Sequence, residues 1–212
     1  MSILLPLPSD RRARRLAQLY AGLALYGFST ALLVNSELGL DPWDVFHQGV
    51  AERTALTIGV ATVVISAFVM LLWIPLRQRP GIGTISNAIL IGLVVDGVLT
   101  FLPEPDELPI RTLFLAGGIV LNGIATGMYI GAGLGPGPRD GLMTGWSARS
   151  GRSIRLVRTL IEVGVLIVGW LLGGTVGVGT AAYALAIGPL AHIFIPAFTI
   201  GRAQVVEAQE GH

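Results

Sequence analysis

Six stretches of this chain are apolar for about the length a helix needs to cross a lipid bilayer, and nothing else in the sequence restricts the fold as strongly. Leu16 to Ser36, Ile58 to Leu76, Leu113 to Ala132 and Val157 to Leu172 each approach the roughly 20 residues that span a hydrocarbon core of about 30 Å. Ile85 to Leu102 and Val178 to Ile200 are as apolar and carry one ionisable residue each, Asp96 and His192. The composition agrees: 52% of the 212 residues are apolar, only 13% are charged and 29 are glycine, which departs far from an ordinary soluble domain. The expected class is an all-α polytopic membrane protein.

Several functions are disfavoured at once. There is no cysteine, so disulfides, thiolate metal sites and cysteine nucleophiles are excluded. All fourteen basic residues are arginine and the net charge is only +1, which suggests no nucleic-acid surface; Arg11, Arg12, Arg14 and Arg15 suit the flank of a membrane entry instead. The apolar run after them is longer than the core of a cleavable signal and lacks a small-residue cleavage site, so it is expected to stay as the first helix. With no lysine there is no Gly-Lys-Ser/Thr phosphate loop, and no zinc-protease motif, serine elbow or histidine cluster is present. The chain is expected to be no enzyme and to need no cofactor or metal.

With six spans and the amino terminus inside, twelve arginines fall inside and two, Arg53 and Arg111, fall outside, as the positive-inside rule requires. Counting Pro42 to Arg53 and Pro138 to Arg149 as crossings gives eight spans and a split of eleven to three. Length decides against it, because a twelve-residue helix covers only about 18 Å.

The stretch Leu-Gly-Leu-Asp-Pro-Trp-Asp from Leu38 is echoed ninety-six residues later by Leu-Gly-Pro-Gly-Pro-Arg-Asp from Leu134. The same offset lays Gly22 on Gly118, Gly27 on Gly123, Thr30 on Thr126, Gly49 on Gly145, Arg53 on Arg149 and Gly92 on Gly188, without a gap. It also lays Gly-Ile-Gly-Thr at Gly81 on Gly-Val-Gly-Thr at Gly177. The chain therefore reads as a duplication: repeat one over about 15–102, a linker over 103–110 with three acids and proline-rich, and repeat two over about 111–200. Three spans per copy force the second copy upside down, giving a 3+3 inverted repeat of the kind many transporters use. A short helix follows the first span of each copy.

Each short helix has its own start signal. Asp41 can cap, Pro42 suits the first position and Asp44 stands where a capping-box acid reaches back. Gly137, Pro138, Arg139 and Asp140 occupy the same places in copy two. These helices either lie in the membrane interface, anchored by Trp43 or Trp146, or dip inward as re-entrant pieces with their amino ends toward a central cavity. In the second arrangement Pro42, Asp44, Pro138, Arg139 and Asp140 contact a solute, and the carboxylates admit a cationic, proton-coupled or zwitterionic one.

Three further groups are candidates. Glu162 lies roughly 13 Å into its span with Arg158 one turn earlier; the two form either an i,i+4 pair that reduces the cost of a buried acid, or a gating or proton-carrying element. Asp96 and His192 are equivalent under the offset, and a twofold axis bringing them together would allow proton transfer near neutral pH; otherwise they serve packing and snorkelling. Thr84 and Thr180 close the two Gly-x-Gly-Thr segments, whose glycines suit close helix contact, and their hydroxyls either cap the helix or reach a solute.

The segments "LGLDPWDVF", "GIGT", "GLGPGPRDGLM", "SIRLVRTLIE" and "GVGT" together resemble the YczE/YyaS/YitT-type bacterial integral membrane proteins, the YczE branch above all. The likeness covers nearly the whole chain. It implies a multi-pass protein of the bacterial inner membrane and marks Pro42, Asp44, Pro138, Arg139, Asp140, Gly141, Arg158 and Glu162 as motif positions, without supplying chemistry. The reading of the residues themselves is a small-solute secondary transporter or permease with its site between the repeats and both termini cytoplasmic. The other reading is a non-transporting regulator or scaffold acting through the arginine-rich segment Arg139 to Arg158. The expected partners are the lipid bilayer, an unknown small solute and, through glycine faces, a second copy of the chain.

Overall fold

The computed structural model describes residues 4–201, so the expectation that both termini are cytoplasmic falls on ends that lie outside the described residues. Among them there are eight helices and no strands: α1 Arg12–Ser36, α2 Pro42–Arg53, α3 Ile58–Leu76, α4 Ile82–Phe101, α5 Leu108–Gly131, α6 Pro138–Ser150, α7 Ile154–Leu172 and α8 Val178–Phe198. Five of these, α1, α3, α4, α5 and α8, are long and apolar enough to cross a membrane. The sixth expected span, α7, has the length but carries Arg155, Arg158 and Glu162 in its first half.

The second set of four helices repeats the first. α5, α6, α7 and α8 each begin ninety-six residues after α1, α2, α3 and α4, and their ends agree to within one residue. Local chemistry sets these starts. Asp41 caps α2 by accepting from the Trp43 and Asp44 amides, and Thr57 and Ser153, equivalent under the offset, cap α3 and α7. Asp44 does not complete a capping box; it turns toward His47 and Arg139 instead. Thr84 and Thr180 act one turn into α4 and α8, each accepting from the amide of its own Gly81 or Gly177.

α1 and α5 cross at the centre, where Gly22 lies against the backbone at Tyr129 and Gly118 against Leu33. α4 packs on α1, and α8 on α5. The short helices pack across the halves: α2 lies on α7, and α6 on α3. The loops before them are locked crosswise too. The Gly83 amide donates to the Leu134 carbonyl at 2.8 Å, and the Gly179 amide to the Leu38 carbonyl at 2.7 Å. Any Cβ at Gly81 or Gly177 would strike those same carbonyls, which explains the glycines of both Gly-x-Gly-Thr segments. Gly39 and Gly135 turn the loops with φ of 114° and 117°, a region that side chains avoid.

One relation is not repeated. α3 packs along α4, with Gly92 against the Gly59 carbonyl and the Asp96 carboxylate accepting from the Gly59 amide and the Thr57 hydroxyl. α7 makes no comparable packing on α8; the position equivalent to Gly92 is Gly188, which faces open space, and His192 is exposed. Asp96 and His192 are therefore not brought together. Asp96 bonds the amino end of α3 within its own half.

Candidate functional site

A cavity of about 180 Å³ lies where the amino ends of α2 and α6 meet α1, α5 and α8, and its wall on the other side is α7. Asp41, Pro42 and Trp43 come from one short helix and its cap, and Gly137, Pro138, Arg139 and Asp140 from the other. Both repeated motifs thus contribute to one site. Trp43 does not project from α2 as a membrane anchor: it is only 5% exposed, and Asp44 and His47 on the polar side of the helix are buried by protein.

The guanidinium of Arg139 organises the charges. Its Nη1 stands 3.3 Å from Asp41 Oδ1 and its Nη2 3.7 Å from Asp44 Oδ1, and it lies over the Trp43 ring at 5.8 Å from the centroid. Two carboxylates thus share one cation. Asp44 Oδ1 also meets His47 Nδ1 at 3.1 Å, with the imidazole donating. Burial holds His47 neutral, lowering its pKa to about 3, with the neighbouring Arg139 charge acting the same way. Burial and the charge of Asp44 together raise Asp41 to about 6, against the opposing pull of Arg139. Asp41 Oδ2 and Asp44 Oδ2 are buried without a hydrogen-bond partner.

On the other side, the Tyr129 hydroxyl donates to Asp140 Oδ2 at 2.8 Å. Arg158 Nε donates to Glu162 Oε1 at 2.8 Å, so the expected i,i+4 pair is made, and both residues line the cavity. The Tyr183 hydroxyl donates to buried Asn122 Oδ1, whose amide in turn donates to Ser29. Tyr26, Tyr129 and Tyr183, three of the four tyrosines in the chain, line this one space.

Of the residues expected to contact a solute, Pro42, Pro138, Arg139 and Asp140 line the cavity, as do Arg158 and Glu162. Asp44 stands behind the wall, held by His47 and Arg139. Thr84 and Thr180 do not reach it: the Thr84 hydroxyl donates to the Pro136 carbonyl, and Thr180 serves its own helix start. Asp96 and His192 also lie away from it. Asp41, read from sequence as a cap only, and the tyrosines were missed; the clue was that three of so few tyrosines sit on helices that the repeat places around the motif loops.

The family described as "Family of unknown function (DUF6198)" matches residues 13–196. An uncharacterized protein of Haemophilus influenzae is 42% identical over 173 residues, covering 82% of this chain and 79% of its own. The uncharacterized membrane protein YczE of Bacillus subtilis is 32% identical over 179 residues, covering 84% and 83%. The uncharacterized protein YyaS of the same organism is 26% identical over 179 residues, covering 82% and 89%. These likenesses bear out the resemblance read from the motifs. No solved structure matches the chain.

Proposed function

The chain belongs to the DUF6198 family of unknown function, and from that premise we propose that it is a small-solute secondary transporter or permease of the bacterial inner membrane. Its architecture on this reading is a 3+3 inverted repeat of six spans, with α7 as the sixth, and its site is the cavity between the two short helices. α7 can serve as a span because Arg158 is paired with Glu162, both line the cavity, and its remaining charge, Arg155, stands exposed in the first turn.

The observation that carries this reading is the unequal state of two equivalent seams. A solid core would pack both alike, whereas here the α3–α4 seam is shut and the α7–α8 seam stands open beside the cavity. In inverted-repeat transporters the two halves exchange conformations, so an open seam in one half and a shut one in the other correspond to access from one side at a time. Contact between positions equivalent under the offset supports the twofold relation: Trp43 and Arg139 stack on each other. Passage of solute then requires α8 to close on α7 while α4 parts from α3.

The test is flux. Purified protein in proteoliposomes is expected to move at least one member of a panel of small organic cations, zwitterions and anions faster than empty vesicles do, and Glu162→Gln is expected to slow it. A panel that neither protein moves rejects the reading. The regulator alternative draws support from the exposed Arg149 at the end of α6, Arg152 in the loop and Arg155 at the start of α7. It predicts a flux-dead protein whose cellular effect is lost when those three become glutamine.

A further inference from the structure

We propose that the cavity recognises a small organic cation bearing N–H donors, an amine in its protonated form, with the Asp41 carboxylate as its anchor. The proposal rests on the transporter reading and adds the chemical class of the solute.

Charge bookkeeping gives the first argument. Asp41, Asp140 and Glu162 line the cavity and Asp44 stands directly behind it, whereas among the described residues only Arg139 and Arg158 supply positive charge there. His47 adds none, since its buried ring donates to Asp44 as a neutral imidazole. Four carboxylates against two guanidiniums leave an excess of negative charge in a desolvated place, where unpaired charge is costly. An anion would worsen that balance and a zwitterion would leave it unchanged. A cation improves it.

Hydrogen bonding gives the second argument, and it is independent of the first. Asp41 is 2% exposed, its Oδ1 already serves the α2 amides and Arg139, and its Oδ2 has no partner. The group missing from the site is thus a donor. Both guanidiniums already face carboxylates, Arg139 those of Asp41 and Asp44 and Arg158 that of Glu162, so neither offers an anion an unpaired positive charge. Among the described residues no group of three carboxylates or imidazoles converges on a point that could hold a metal ion. Aromatic walls from Tyr26, Trp43, Tyr129 and Tyr183 suit the alkyl part and the charge of an organic ammonium ion. A space of about 180 Å³ limits that ion to a few heavy atoms.

The experiment is thermal unfolding of the purified full-length protein in detergent at pH 8, at equal ionic strength, with ethylammonium chloride, sodium chloride, sodium propionate or glycine. Ethylammonium at a tenfold excess over its Kd is expected to raise Tm by roughly 3 °C relative to sodium chloride. Propionate and glycine are expected to raise it by less than a third of that. Asp41→Asn is expected to lose the rise, and Asp41→Ser, which keeps a helix-capping oxygen, supplies a second variant if the first does not fold. A larger rise with propionate or glycine, no rise with ethylammonium, or an undiminished rise in either Asp41 variant overturns the proposal. Flux is read separately: ethylammonium binding in a protein that moves nothing removes the transporter reading and leaves the site. Flux confined to anions or zwitterions keeps the transporter and removes the cation.

Discussion

Arg139 is the single cation between two buried carboxylates, and most of the site's electrostatics follows from it. Removing one partner of a buried charge set leaves the others uncompensated, so Arg139→Ala is expected to cost about 3 kcal/mol, the lower end for such losses because the guanidinium is partly exposed. Asp41→Asn in the same chain should recover part of that cost, and a double-mutant cycle of thermal stability measures the coupling. The pH dependence at this cluster contains two opposed contributions. Asp41, raised to about 6, binds its proton more tightly folded than unfolded, so its contribution to stability falls as pH rises from about 4 to about 6. His47, lowered to about 3, stays neutral when folded while the unfolded ring protonates below about 6.5, so its contribution rises over the same window. Asp44 of α2, Arg139 of α6 and the ring hydroxyls of Tyr26 and Tyr183 surround the pair, and only Arg139 among them brings positive charge. Between pH 4 and 6 the unfolding midpoint of Asp41→Asn is therefore expected to climb more steeply than that of wild type, and that of His47→Gln to climb less or to fall. Identical slopes in all three would remove the assigned protonation states. Sequence alone displayed Asp41 as a cap because capping is a matter of three or four neighbouring residues. Its partnership with Arg139, ninety-eight residues away, depends on where the second half folds, and no local rule contains that.

The helices themselves were legible. Apolar length marked the five helices long and apolar enough to cross a membrane and proline with its preceding cap residue marked the short helices, since both signals are local, and each helix of the second half begins ninety-six residues after its counterpart in the first. Packing partners were not legible, because hydropathy fixes how long a helix is and leaves open what it touches. Crosswise packing of α2 on α7 and α6 on α3, and the divergence of the two seams, appear only in three dimensions. The seams offer a direct comparison between equivalent positions. A Cβ at Gly92 would meet the Gly59 carbonyl and Val63, whereas one at Gly188 meets nothing within 4 Å. Gly92→Ala is thus expected to lower stability by about 1–3 kcal/mol through overpacking, even after the gain in helix propensity. Gly188→Ala should be neutral or raise stability by up to about 1 kcal/mol, since propensity acts there unopposed. Thermal unfolding of the two variants side by side checks this. Equal losses would mean that the two seams are alike in the population measured.

Taken whole, the molecule has two ends with different charge, and contacts between distant segments define them. At one end Leu5 bonds Pro80, Arg15 bonds the Ala132 carbonyl and Gln78 lies against Gly145, so the arginine-rich start, the α3–α4 loop and the C-terminal part of α6 share a face. At the other, Arg111 bonds Ser36 and Glu37, Arg53 bonds the Leu172 carbonyl and Asn35 bonds Leu102. The two arginines assigned outside by the count are those at this second end, although the count used no coordinates. The positive-inside rule predicts that the arginine-rich face lies in the cytoplasm. In a chain free of cysteine this can be read with single introduced thiols and an impermeant maleimide applied to intact cells. Gln78→Cys and Arg152→Cys, exposed or half-exposed on the first face, are expected to label only after the membrane is opened. Glu104→Cys in the link between the halves and Arg53→Cys at the end of α2 are expected to label from outside. The pairing matters more than the absolute side. Gln78 lies in the α3–α4 loop, whose counterpart under the offset is the α7–α8 loop, and Arg152 lies in the α6–α7 loop, whose counterpart is the α2–α3 loop; only a second half inverted against the first puts these two non-equivalent loops on one face. If Gln78→Cys and Arg152→Cys label from opposite sides, the inverted repeat fails, and with it the reason for two proline-started helices to meet at one cavity.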